Sequence, residues 1–155
     1  MWLMRIALVA AVLAQLTPAP ANRHATVTAS PADVAGKAGA KVSLFVDIVP
    51  KPGIHVYAPG AKDYIAVALK LDARPDVKAG RATFPKSEDM FFEPLNEHVP
   101  VFQKPFRITQ DVTLGKSVAV GSTVTVAGTL SFQACDDKVC YAPESVPVSW
   151  SVMVK

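Results

Sequence analysis

Two cysteines, Cys135 and Cys140, are the residues of this chain best suited to chemistry, and the sequence holds no others. They flank a polar stretch, Asp136-Asp137-Lys138-Val139, and lie between segments with strand-like alternation. A hairpin would set them opposite each other. Directly opposed residues in an antiparallel pair have Cβ atoms roughly 4.5–5.5 Å apart. A disulfide needs about 3.5–4.5 Å, so a small local adjustment closes it. Cysteine counting alone fits a structural staple in an exported β-domain. The shortness of the loop counts against that, because closing it removes less chain entropy than the roughly 3 kcal/mol assigned to a 15-residue loop.

The neighbours bear on what an exchanging pair would do. The spacing is not the Cys-x-x-Cys at a helix start that lowers a thiol's pKa. Asp136 and Asp137 stand beside the sulfurs with only Lys138 to offset them, and nearby carboxylates disfavour a thiolate. Strong periplasmic oxidants depend on a very acidic thiol with a stabilised reduced form. A pair without that device is better suited to passing electrons onward as a reductant. Tyr57, Tyr141 and His55 are candidates to flank the sulfurs. A soft-metal site could be built from Cys135, Cys140 and a histidine, since thiolates select Cu(I) or zinc, although the spacing matches no standard zinc pattern. A second copper candidate is His24. Cleavage after Ala21 would make it the third residue of a new terminus, and a square-planar Cu(II) site takes nitrogen ligands of that kind.

The elements that must hold these residues read as strands. Lys41 to Pro50 alternates, with Val42, Leu44, Val46 and Ile48 on one face. Lys51-Pro52-Gly53 is a turn, followed by a short strand from Ile54 to Tyr57. A short strand is also expected at Thr26-Val27-Thr28, and further ones at Ile65 to Leu71 and Val101 to Leu114. Thr123 to Phe132 places Val124, Val126, Leu130 and Phe132 on one face. Val146 to Val154 does the same with Val146, Val148, Trp150, Val152 and Val154. Phe84 to Pro100 shows no clean period and reads as a long irregular region, of the kind that is functional or mobile in a compact domain. Thirteen prolines argue against long helices. Short strands punctuated by turns predict an all-β fold, an immunoglobulin-like antiparallel β-sandwich.

The N-terminus sets the expected compartment. Arg5 precedes the apolar run Ile6–Leu16, and Ala19-Pro20-Ala21 offers small residues for cleavage. This is the pattern of a secretory signal, and the run is shorter than the roughly 20 residues a spanning helix needs. Residues 1–21 are therefore expected to be a cleaved signal and 22–155 a single soluble domain, touching the membrane only through that signal. Exported cysteines meet an oxidising environment. Sixteen Lys and Arg against thirteen Asp and Glu leave a net charge of +3. Without Arg5 it is +2, scattered over the chain, which is no footprint for nucleic acid.

Several motifs carry a resemblance. Phe132-Gln133-Ala134-Cys135, four residues, then Cys140-Tyr141-Ala142-Pro143 resembles the active-site hairpin of the N-terminal periplasmic domain of DsbD-type thiol:disulfide interchange proteins. Gly53-Ile54-His55-Val56-Tyr57 is similar to that family's early strand, and Phe84-Pro85 to its Phe-Pro step. The resemblance spans roughly Val42 to Val154 and implies an immunoglobulin-like sandwich. It implies dithiol–disulfide exchange with thioredoxin-fold partners through a mixed disulfide, without a cofactor. Cys140 matches the cysteine that joins the partner and Cys135 the one that resolves it, with Gln133 and Tyr141 as motif neighbours. It also implies a cap over the sulfurs within Phe91–Glu97, aligned best with Leu95, with Phe91 or Phe92 as alternatives.

DsbD-type proteins continue into a membrane electron conduit and a thioredoxin domain, and this sequence carries neither. Electrons are then expected to come from a separate membrane thiol–disulfide donor, to a domain acting as a monomer. Two other readings stay open on the sequence: a binding or structural sandwich with a static bond, and a periplasmic copper-handling module.

Overall fold

Period-two alternation decides the central strands. In β3 (Lys41–Pro50), Val42, Leu44, Val46 and Ile48 are all buried. β10 (Thr123–Phe132) buries Val124, Val126, Leu130 and Phe132, and β12 (Glu144–Val154) buries Val146, Val148, Trp150, Val152 and Val154. In each case one face of the pleat turns inward and the other remains in water. The structure, a computed structural model, describes residues 23–155. The expected signal, residues 1–21, lies outside the described residues.

The remaining strands are β1 (Ala25–Ala29), β2 (Asp33–Gly36), β4 (His55–Tyr57), β5 (Ala68–Leu71), β6 (Val77–Thr83), β7 (Glu88–Phe92), β8 (Glu97–Phe102), β9 (Phe106–Leu114) and β11 (Ala134–Cys135). They form three sheets, ordered β1-β3-β9-β6, β2-β12-β10-β5 and β11-β4-β8-β7. The first two face each other, and their inward side chains make one core around Trp150 and Phe132. Trp150 Nε1 donates to the Phe45 carbonyl at 3.0 Å, tying the two sheets together. The fold is the all-β sandwich expected. Its pairing is antiparallel except where β2 runs parallel to β12.

The third sheet grows from one end of the sandwich. β4 follows the end of β3 through the turn at Gly53, whose φ of +76° suits a residue without Cβ. β8 leads into β9, and β11 follows β10 after a single residue. Tyr57, Val99, Val101 and Cys135 form a small second core there, flanked by Ala61, Tyr64 and Met90. This sheet carries the cysteines.

Three expectations need correction. The strand expected from Ile65 begins only at Ala68, and Ile65 is exposed. The strand expected over Val101–Leu114 is two strands, broken at Gln103–Pro105. The region read as irregular, Phe84–Pro100, is largely the β7–β8 hairpin, paired from Glu88↔Val101 to Phe92↔Glu97. Its tip is a 3-10 turn, Glu93–Leu95, with Pro94 near its start and Asn96 in the left-handed conformation at φ +50°. Asn tolerates that conformation, and its N–H donates to the Glu93 carbonyl at 3.1 Å.

Candidate functional site

Cys135 and Cys140 form a disulfide with Cα atoms 4.0 Å apart. The two sulfurs are placed unequally. Cys135 lies in β11, paired to β4 with Cys135 directly opposite His55, and is 1% exposed. Cys140 lies past the loop and is exposed. The loop between them is organised by Asp136. Its Oδ1 accepts the backbone N–H groups of Lys138 and Val139, each at 2.8 Å. Its Oδ2 accepts the Tyr141 hydroxyl at 2.5 Å. An aspartate that folds the following backbone onto its own carboxylate is the side-chain mimic of a turn. The Tyr141 hydroxyl, followed by the two N–H groups, holds the Asp136 carboxyl at a pKa of about 2. Tyr141 N–H donates to the Ala134 carbonyl at 2.9 Å, and Gln133 Nε2 to the Tyr141 carbonyl at 3.2 Å, which close the hairpin below the sulfurs.

Tyr57 stands over the bond. Its hydroxyl lies 3.3 Å from Cys135 Sγ and 3.4 Å from Cys140 Sγ. Neither sulfur of a disulfide carries hydrogen, so the hydroxyl is the donor. Burial, with a smaller contribution from Glu97, raises its pKa and keeps that proton in place. Tyr64 stacks on Tyr57 with ring centroids 4.2 Å apart, and its own hydroxyl bonds the Glu97 carboxylate at the start of β8. That bond pushes the Tyr64 pKa up to about 12. His55 sits edge-on to Tyr57 at 5.5 Å, is 7% exposed, and its Nε2 has no hydrogen-bond partner.

The sulfurs open into a cavity of about 210 Å³ between the cysteine hairpin and the β7–β8 hairpin. Phe92 and Leu95 line it, together with Met90, His55, Tyr57 and Tyr64. Strand parity explains the choice of phenylalanine. Met90 and Phe92 share one face of β7, while Phe91 points to the other, 48% exposed and packed against His98 at 5.0 Å. Of the three cap candidates, the structure brings Phe92 and Leu95 to the sulfurs and leaves Phe91 outside. Met90 and Tyr64 are lining residues the sequence reading missed. Met90 becomes legible once β7 is known to be a strand in phase with Phe92. No local signal marks Tyr64.

His24 packs against the cysteine hairpin. Its ring stacks on Tyr141 at 3.9 Å, and its Nδ1 bonds the Glu144 carboxylate. The Arg23 N–H reaches the same carboxylate at 3.0 Å. Arg23 and His24 are thus tied to the cysteine hairpin, His24 by a ring nitrogen that a copper site would use. Among the described residues, no three His, Cys, Asp or Glu side chains are grouped to hold a metal ion.

The family model of the N-terminal domain of thiol:disulfide interchange protein DsbD matches residues 24–149. The chain belongs to that family. The DsbD N-terminal match spans the cysteine hairpin, the β7–β8 hairpin and His24 alike. With the bonded Cys135–Cys140 pair, it makes this a thiol–disulfide interchange domain of the DsbD type. Among curated proteins, no relative matches the chain.

Three solved structures resemble it distantly. A family 123 glycoside hydrolase from Clostridium perfringens is 9% identical, with a TM-score of 0.35 over 79% of this chain and 22% of its own. A C-terminal fragment of the major pilin GBS80 of Streptococcus agalactiae is 10% identical, with a TM-score of 0.37 over 84% and 55%. AvmM, which catalyses macrocyclization in alchivemycin A biosynthesis, is 11% identical, with a TM-score of 0.34 over 84% and 88%. This chain therefore spans about a fifth of the first and about half of the second. At such scores the likenesses carry nothing for function.

Proposed function

We propose that this domain works in the periplasm and passes electrons from a reduced Cys135/Cys140 pair to disulfides of thioredoxin-fold partners. Cys140 attacks the partner's disulfide, and Cys135 resolves the mixed disulfide. The observation that carries this reading is the unequal placement of the sulfurs. A partner sulfur can approach exposed Cys140 at the rim of the cavity, whereas Cys135, at its inner wall, is only 1% exposed. Exchange runs through a mixed disulfide and needs a second thiol to release it. The acidic hairpin supports the outward direction, because carboxylates beside a sulfur favour the protonated thiol over the thiolate. A separate membrane thiol–disulfide protein would re-reduce the pair.

The hairpin tip at Phe92 and Leu95 acts as the lid in this reading. It shields the sulfurs from unrelated thiols and moves aside when a partner docks, as lids do over other active sites. The test is non-reducing electrophoresis after mixing each cysteine variant with an oxidised periplasmic thioredoxin-like protein. Cys135→Ala should accumulate a long-lived adduct and Cys140→Ala none. The reverse pattern would exchange the two roles, and no adduct from either variant would favour a static bond.

A further inference from the structure

We propose that His55 takes the proton from Cys135 when that thiol attacks the mixed disulfide. The inference rests on the exchange reading above and names the base that reading lacks. In the resolving step Cys140 Sγ is bonded to a partner sulfur. Cys135 gives its proton to His55 Nε2, and its sulfur then attacks Cys140 Sγ. The Cys135–Cys140 bond forms as the bond from Cys140 to the partner breaks, and the electron pair leaves on the partner sulfur. The imidazolium returns its proton to that thiolate. The pair is oxidised by two electrons, the partner disulfide becomes a dithiol, and no further reagent is required.

Three observations place His55 in that role. Cys135 and His55 are directly opposed across β11 and β4, which sets their Cβ atoms roughly 4.5–5.5 Å apart on one face of the sheet. Both line the same cavity. His55 is more than nine-tenths buried, yet its Nε2 has no partner. A buried polar atom left unmatched lowers stability, so a role in the reaction gives the orphaned nitrogen a reason to be there.

The other groups facing this space are poorer bases. Asp136 already accepts three hydrogen bonds. Asp137 also borders the cavity, but it is exposed to water and stands beside the cation Lys138. Tyr57 and Tyr64 hold their protons more tightly than free tyrosines. The β7–β8 hairpin offers only uncharged Met90, Phe92 and Leu95. Burial lowers the His55 pKa, against a smaller upward pull from Asp137 and Asp136. The imidazole is then neutral near pH 7, and its Nδ1–H tautomer leaves Nε2 free to accept a proton. Cys135, buried beside carboxylates, needs such an acceptor, because only the thiolate attacks a disulfide.

The test uses the reduced protein and a small aromatic disulfide, 5,5′-dithiobis(2-nitrobenzoate). Attack by Cys140 releases one coloured thiolate, and resolution by Cys135 releases a second. With His55→Gln or His55→Phe, the first release should stay within about twofold of the unsubstituted protein. The second should slow by about tenfold or more near pH 7, at the lower end of what a positioned proton acceptor supplies. Near pH 9.5 hydroxide takes the proton, and the defect should largely vanish. His55→Gln keeps a polar group of similar reach, so it reports even if the phenylalanine disturbs packing. A second release unchanged near pH 7, or slowed equally at both pH values, overturns the role of His55. A single release from the unsubstituted protein overturns the exchange reading and this proposal with it.

Discussion

Truncating the lid should raise the reactivity of the reduced cysteines by an amount the structure sets. Leu95 lines the cavity but is 62% exposed, so the closed tip covers about 38% of its surface. Fully burying a leucine side chain is worth about 1.5–3 kcal/mol, and that fraction is worth about 0.6–1.1 kcal/mol. Leu95→Ala should therefore shift the closed–open balance of the tip by roughly three- to sevenfold. Under conditions where only the open form reacts, the rate of alkylation by iodoacetamide should rise by the same factor. Phe92 keeps less of its surface in water than Leu95 and should give a larger change. Phe91 points away from the sulfurs, and Phe91→Ala is the internal control, expected to leave the rate unchanged. The assay is mass spectrometry of the reduced protein against time, with circular dichroism to verify the fold. Equal rates for Leu95→Ala, Phe92→Ala and the unsubstituted protein would refute the lid, and so would an acceleration by Phe91→Ala as large as that by Phe92→Ala.

Reducing the disulfide should cost only about 2 kcal/mol in urea denaturation, the chain-entropy value for a loop closed by cysteines five positions apart. A loss well above about 3 kcal/mol would favour a structural staple. The Asp136 carboxyl falls from 3.8 to a pKa of about 2 on folding, so its contribution is fully present above 3.8 and is lost as pH falls through about 2. Asp136→Asn should flatten that part of the acid limb in a urea midpoint series between about pH 5 and pH 2, and an unchanged limb would show that the carboxylate adds no stability to the hairpin.

Much of the sandwich was legible in the sequence because its central strands bury one face and expose the other. Val42, Leu44, Val46 and Ile48 could be read as one inward row without any tertiary information. The β7–β8 hairpin could not. β7 is an edge strand with no fully buried residue, so Glu88, Asp89, Met90, Phe91 and Phe92 show no hydrophobic alternation. Pro94 and Pro100 also suggested breakage, although Pro100 sits in β8, opposite Asp89 of that edge strand. β6, with only partly buried or exposed residues, escaped for the same reason. The cysteine hairpin was legible as a motif, but the positioning role of Asp136 was not, because its carboxylate is used on the backbone of its own loop. The pairing of His24 with Glu144 and Tyr141 joins residues more than a hundred positions apart, and no local pattern announces it.

The same comparison explains how a β-sandwich can host this chemistry. A thiolate can be stabilised by a helix N-terminus or by neighbouring cations. Among the described residues there is no helix beyond the single 3-10 turn, and the charges nearest the sulfurs in sequence are Asp136, Asp137 and Lys138. Acidity of the thiols is therefore not the lever available here. What remains is geometry: one sulfur at the rim and one beneath it, an apolar tip lining the cavity, a tyrosine hydroxyl donating across the bond, and an unpaired imidazole beside the inner sulfur. A sheltered dithiol reacts slowly with chance oxidants. In the proposed cycle it becomes fast when a docked partner opens the tip and presents a disulfide to Cys140. Selectivity by access rather than by acidity would suit the reductant proposed above, and a domain built from strands alone can supply it.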